Sequence, residues 1–139
     1  MRYFLLALVC LPGIACQSKS DPFVTGSLAD GSSIRLIWTA TGADWTSHVP
    51  LTAGYTVRLK VRLFVADGRE IVPLEHPLQM SFVFTPSTLA TAATADSVTL
   101  LEDITPSDTA GASGSLQVSL TEPATGTNKS FGPFSVLIH

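Results

Sequence analysis

Cysteine is almost missing from this chain: Cys10 and Cys16 are the only two among 139 residues. With none after position 16, the long C-terminal part has no disulfide to lean on and no thiolate for catalysis or metal binding. Charge is sparse as well, at 14% of residues, and the balance is acidic, with eight Lys+Arg against eleven Asp+Glu. A surface short of cations lacks the phosphate contacts on which nucleic-acid binding depends, so no nucleic-acid partner is expected. Short catalytic motifs are missing too. No H-E-x-x-H pair occurs and no glycine-rich loop follows a strand. The stretch Gly111 to Ser115 (GASGS) is not a G-x-S-x-G elbow, and the adjacent Glu102 and Asp103 would point to opposite faces of a strand. Neither an enzyme nor a cofactor is expected.

Three histidines, His48, His76 and His139, are the remaining candidates for metal chemistry. On a straight strand His76 and Met80 would share a side but stand roughly 13 Å apart. A site mixing imidazole and thioether would need loops to bring in His48 or His139. Nothing in the sequence calls for that folding, so no metal site is expected, and Met80 reads as core filler.

Long apolar runs are limited to one at the start. Arg2 precedes Tyr3 to Leu11, which falls short of the roughly 20 residues that span a bilayer. It has the length of a signal-peptide core instead. Pro12 and Gly13 break the run before the small-residue stretch Gly13-Ile14-Ala15-Cys16. Residues 1–15 therefore read as a cleaved signal peptide, 16–22 as a short polar tether closed by Pro22, and 23–139 as one domain. Cleavage leaves 124 residues, enough to bury a core without staples.

The residues Gly13-Ile14-Ala15-Cys16 resemble the lipobox of bacterial lipoproteins, in which a small residue precedes the cysteine that receives lipid. Ala15 and Cys16 match that pattern, while Gly13 stands where an aliphatic residue is usual, and ordinary secretory cleavage near Ala15 is the alternative. The resemblance implies lipidation at Cys16 and anchoring in the bacterial cell envelope. Gln17, in place of an inner-membrane-retaining Asp, implies the outer membrane. Cysteine arithmetic argues the same way, because Cys10 is lost on cleavage and Cys16 would have no partner in an oxidising compartment. Several buried acyl chains, at about 0.8 kcal/mol per methylene, would hold the protein effectively permanently. At most ~3.5 Å per residue, the tether keeps the domain within roughly 20 Å of the lipid.

Alternation with period two dominates the remainder of the chain. Tyr55, Val57, Leu59, Val61 and Leu63 alternate with Thr56, Arg58, Lys60 and Arg62, a strand with one buried face. Asp67-Gly68 predicts a hairpin returning over Arg69 to Val72 and ended by Pro73. Asp30-Gly31 predicts a second hairpin, joining Phe23–Leu28 to the strand carrying Ile34, Leu36 and Trp38. Leu78 to Phe84, Leu116 to Leu120 and Phe134 to Ile138 predict further strands, the last begun by Gly132-Pro133, with a weaker one over Val98–Leu101 and a helical turn or two around Ser87–Ala95. About seven or eight short strands give an all-β fold, an antiparallel sandwich that loosely resembles immunoglobulin-like domains. Trp45, in a Gly/Thr/Ser loop, either plugs the open end of that sandwich or serves as a ligand platform.

Arg58, Lys60 and Arg62 fall on one strand face at roughly 7 Å intervals. They read either as a solvated face with acidic neighbours across the sheet or as a contact for anions, lipid headgroups or a partner. With a two-residue loop at Asp67-Gly68, Phe64 and Ile71 would pair on the same face and add an apolar spot, making a partner-binding patch of Arg58, Lys60, Arg62, Phe64 and Ile71. The expectation is a lipid-anchored envelope protein acting as a non-enzymatic contact or binding module, its partners the membrane and either another envelope protein or a surface glycan or lipid. A periplasmic metal- or small-ligand-binding domain is the alternative. Metabolic labelling with a palmitate analogue tests the anchor: wild type should carry the label and Cys16→Ala should lose it, whereas label retained by Cys16→Ala removes the anchor.

Overall fold

The structure, a computed structural model, describes residues 21–139; the signal peptide read in 1–15 and the lipidation expected at Cys16 lie outside the described residues. Eleven strands build two sheets in the described residues, with one 3₁₀ turn at Leu28–Asp30. In chain order they are β1 (Phe23–Gly26), β2 (Ser33–Trp38), β3 (Ala43–Asp44), β4 (Val49–Leu51), β5 (Val57–Phe64), β6 (Glu70–Leu74), β7 (Gln79–Thr85), β8 (Ala90–Asp96), β9 (Leu101–Pro106), β10 (Ser113–Glu122) and β11 (Thr127–Ile138). The fold is all-β. Among the described residues, no helix is long and apolar enough to cross a membrane.

The larger sheet is forked around β5. One edge of β5 pairs with β2 along its length, Ser33 opposite Phe64 through Trp38 opposite Leu59. Its other edge is shared: β6 pairs at Phe64 alone, and β9 pairs from Val57 to Lys60. Beyond them lie β1 next to β6 and β8 next to β9, while β3 borders β2. The second sheet runs β4-β11-β10-β7. Between the sheets sits one apolar cluster in which Leu36, Leu59, Leu63, Ile104, Leu116, Val118, Leu120 and Ile138 are almost fully buried. These are the core-facing members of the alternating runs, as a pleated strand with one covered face requires.

Several elements depart from the sequence reading. Phe23–Gly26 does not form a hairpin with β2. Leu28 turns inward in the 3₁₀ turn, and β1 instead pairs parallel with β6, Phe23 opposite Glu70 and Val24 opposite Ile71. β4 also runs parallel to its neighbour β11, so both sheets are mixed rather than purely antiparallel. Pro73 does not end β6. The register slips between Val24 and Gly26, where Leu74 rather than Pro73 meets Gly26, so the missing amide of Pro73 falls at an irregularity that needs no donor. The helical turn expected over Ser87–Ala95 is largely strand β8, held by pairing with β9, while the strand expected over Val98–Leu101 is mostly the turn before β9. Neither segment has an alternating pattern of its own, so tertiary pairing decided both.

The last strand begins at Thr127, not at Gly132-Pro133. Leu116 pairs with Phe134 and Val118 with Phe131, leaving Gly132 and Pro133 to share the single partner position at Gln117. This bulge switches the phase of alternation, so Phe131 before it and Phe134 after it both pack on the core. Gly132 has φ +118°, a region closed to side chains, and a Cβ there would stand 2.8 Å from the Leu116 carbonyl oxygen. Gly132→Ala should therefore cost about 1–3 kcal/mol in a urea melt; an unchanged midpoint would show that the bulge relaxes freely.

Candidate functional site

The basic ladder read from the sequence lies on the outer face of the forked sheet, and each cation on it has an acceptor. Arg58 faces Asp103 directly across β5–β9, and the two make a forked pair with Nε to Oδ1 at 2.7 Å and Nη2 to Oδ2 at 2.9 Å. That bond and the guanidinium charge hold the Asp103 carboxyl below its usual range. Lys60 donates to the Thr99 carbonyl at 3.0 Å. Arg62 Nη2 donates to Glu70 Oε1 at 2.7 Å. Acidic partners thus come from β6 and β9, strands 8 and 45 residues away in the chain.

Phe64 and Ile71 do not share a face. The hairpin loop has three residues, Ala66-Asp67-Gly68, closed by the Val65 amide on the Arg69 carbonyl at 2.9 Å, with Gly68 at φ +95°. One residue more than a two-residue turn shifts the register by one, so Phe64 meets Glu70 and Ile71 turns into the core. Phe64 stays on the ladder face but is only 6% exposed. Its cover is a residue the sequence reading passed over: Arg35, directly opposite Arg62 in the β2–β5 register, places its guanidinium carbon 4.7 Å from the Phe64 ring centre, with that of Arg62 at 5.4 Å. Two like charges face to face would repel. Here both stand against the Phe64 ring and Glu70 neutralises one.

The ladder borders two hollows. At the fork, Lys60 and Arg62 line a cleft of about 430 Å³ between β6 and the turn before β9, together with exposed Val72 and Val98 and the side chain of His76. At the other end of β5, Arg58 borders an open groove of about 920 Å³. Its aromatic lining is Trp38 from the end of β2, Trp45 from the loop after β3, and Tyr55 from the turn before β5; Thr39, Thr52, Thr56 and His139 complete the polar part.

Local hydrogen bonds hold the tryptophans in place. The Trp45 amide donates to the Leu36 carbonyl at 2.8 Å, and the Leu36 amide donates to Thr46 Oγ1 at 3.0 Å, so the loop folds back across β2. Trp45 is 9% exposed and belongs to the core, where it stacks on Trp38 with ring centres 4.9 Å apart and planes at 23°. It plugs the end of the sandwich. Trp38 is only partly buried, and Tyr55 stands 70% exposed on a turn closed by its own amide on the Thr52 carbonyl. Neither Trp38 nor Tyr55 stands out in the sequence as a groove residue, because one ends an alternating run and the other begins one.

The two ends of the sheet differ in another way. The Glu70 amide donates to the Pro22 carbonyl at 2.9 Å, so the chain enters the fold beside the hairpin at the Phe64 end of β5. The groove lies at the Val57 end, the length of the strand away, roughly 20–25 Å.

Among the described residues no cluster of three or more His, Cys, Asp or Glu side chains is arranged to hold a metal ion. His48, His76 and His139 lie apart, in the loop before β4, the loop before β7 and beside the groove. Glu102 and Asp103 do point to opposite faces: Asp103 outward to Arg58, and Glu102 inward, 3% exposed, where Thr94 Oγ1 donates to it at 3.0 Å. No protein-family model matches the chain, and no curated protein matches it significantly.

Burial raises the Glu102 carboxyl above its ordinary value, and the Thr94 hydroxyl only partly offsets this. Its favourable contribution is therefore complete below the ordinary carboxylate value and is lost as pH rises through the raised one. Glu102→Gln, which keeps an acceptor for Thr94, should melt at higher temperature than wild type near pH 7, with the difference closing as pH falls below 4. A difference independent of pH would assign the effect to packing.

Proposed function

We propose that this protein is a lipid-anchored component of the bacterial cell envelope, held through Cys16, whose immunoglobulin-like sandwich works by contact rather than by turnover. The sheet connectivity supports the domain reading. The order β2-β5-β9-β8 facing β7-β10-β11 corresponds strand for strand to the A-B-E-D and C-F-G sheets of that architecture, with β1, β3, β4 and β6 as additions. The lipid reading rests on the signal-like segment before Cys16 and the lack of any later cysteine.

The observation that carries the contact reading is the groove at the Val57 end, which joins an exposed tyrosine and a half-buried tryptophan to threonine hydroxyls and Arg58. General acid–base or nucleophilic chemistry needs at least two coupled groups within hydrogen-bond reach. The groove lining has one titratable imidazole, that of His139, and no carboxylate or thiol side chain, a set of groups better suited to holding a ligand. Orientation supports the same reading. A tether that enters at the hairpin end leaves the groove at the end farther from the anchor, open to whatever faces the membrane.

A photo-crosslinking residue at Thr52, beside the groove, tests this in intact membranes. The expected result is an adduct of defined mobility that is lost on Tyr55→Ala and unaffected by Val98→Thr at the fork. An adduct from Val98 but none from Thr52 would move the contact surface to the cleft.

A further inference from the structure

We infer that the groove at the Val57 end of the sandwich binds an uncharged oligosaccharide, through ring stacking on Tyr55 and Trp38 and hydroxyl contacts to Thr56 and Arg58. This rests on the reading of the groove as the contact site and names its ligand class.

Aromatic faces set the first requirement. Their negative quadrupoles attract groups with weakly positive C–H edges, and the C–H face of a pyranose ring supplies them on a flat surface. Tyr55 is 70% exposed on a tight turn that holds its backbone, so binding has only its two side-chain torsions to order. Trp38 is backed by Trp45 at 4.9 Å, which keeps its ring from collapsing into the core when a ligand arrives.

Charge sets the second. The Arg58 guanidinium is matched by Asp103 through two short bonds, and the groove has no other Lys, Arg, Asp or Glu in its lining. A site with its one cation already neutralised favours a neutral ligand over an anion. At the same time, the Arg58 guanidinium keeps N–H groups that Asp103 does not use, and Thr56 Oγ1 and Thr105 Oγ1, 2.9 Å apart, continue the polar strip just before β5 and along β9. A fatty acyl chain would strip water from these groups and give nothing back. An extended peptide adding as a strand would need a usable sheet edge, and the edge strands at the groove, β3 and β4, are only two and three residues long.

Size and place complete the argument. About 920 Å³ lies at the upper end of small-ligand sites, which suits several linked rings rather than one. The groove's distance from the chain's entry point directs it toward polymers beyond the anchoring leaflet.

The full-length lipidated protein in detergent micelles can be titrated with N-acetylglucosamine trimer and with cellotriose, following tryptophan fluorescence and calorimetric heat. Saturable binding of at least one trisaccharide is expected, weakened tenfold or more by Tyr55→Ala and by Arg58→Ala and unchanged by Val98→Thr. Tyr55 is exposed, so its variant should keep the wild-type melting temperature and isolate recognition from folding. Absence of binding by both sugars, or full binding by Tyr55→Ala, overturns the inference. If the sugars fail while the Thr52 crosslinker captures a protein in a Tyr55-dependent way, the saccharide inference falls and the contact reading stands; if both fail, both fall.

Discussion

Strand β5 is the constraint on which the rest of this structure depends. Its odd residues, Leu59, Val61 and Leu63, enter the core almost without exposure, and its even residues carry Arg58, Lys60, Arg62 and Phe64 on the outer face. Because one edge is fully taken by β2 and the other is divided between β6 and β9, every strand of the larger sheet reaches its position directly or through one neighbour of β5. The split also creates the fork cleft, and the beginning of β5 at Val57 sets where the aromatic groove opens. The core and the cation ladder therefore occupy opposite faces of the same eight residues, and the two hollows lie toward its opposite ends.

The outer face shows how a row of cations is made tolerable. Arg58, Lys60 and Arg62 gain nothing from one another, yet the register brings Asp103 opposite the first, the Thr99 carbonyl to the second and Glu70 beside the third. Phe64 adds an unusual element, since its ring lies on the outer face and is nearly covered by the two arginines over it. Arginine suits this role because its planar group can stack on a ring and still donate in its own plane. Much of the ladder's charge is thus spent internally, which shifts attention from the ladder's middle to its Arg58 end, where the paired guanidinium meets open aromatic surface.

What was legible in the sequence followed the alternation. Ile34 to Trp38, Val57 to Leu63, Gln79 to Phe84 and Leu116 to Leu120 each have a core face written in period two, and each is a strand. The misreadings sit where a strand depends on its neighbour. Ala90–Asp96 has no apolar side chain larger than alanine and exists because β9 pairs with it; Thr127–Phe131 is hidden by the phase switch at Gly132; and Pro73 reads as a terminator unless the slip opposite Val24 and Gly26 is known. At the site, Arg58, Lys60 and Arg62 were visible as a row, but Arg35, Asp103 and Glu70 come from other strands, and no local spacing announces them.

A single loop residue separates the two kinds of knowledge. The sequence by itself determined an all-β chain, the buried face of the strand that begins near Val57, the face its cations would share, and the lack of cysteine beyond position 16 that makes Cys16 a candidate for lipid. Tertiary structure alone decided that the hairpin loop is Ala66-Asp67-Gly68, which sends Ile71 inward and sets Glu70 beside Arg62. It alone joined Trp38, Trp45 and Tyr55 at one end while the chain enters at the other. The physical reason is that alternation is a property of one strand and is written in neighbouring residues. Register, sheet order and the closure of a groove are relations between strands, and they are fixed only when loop geometry and core packing are satisfied together.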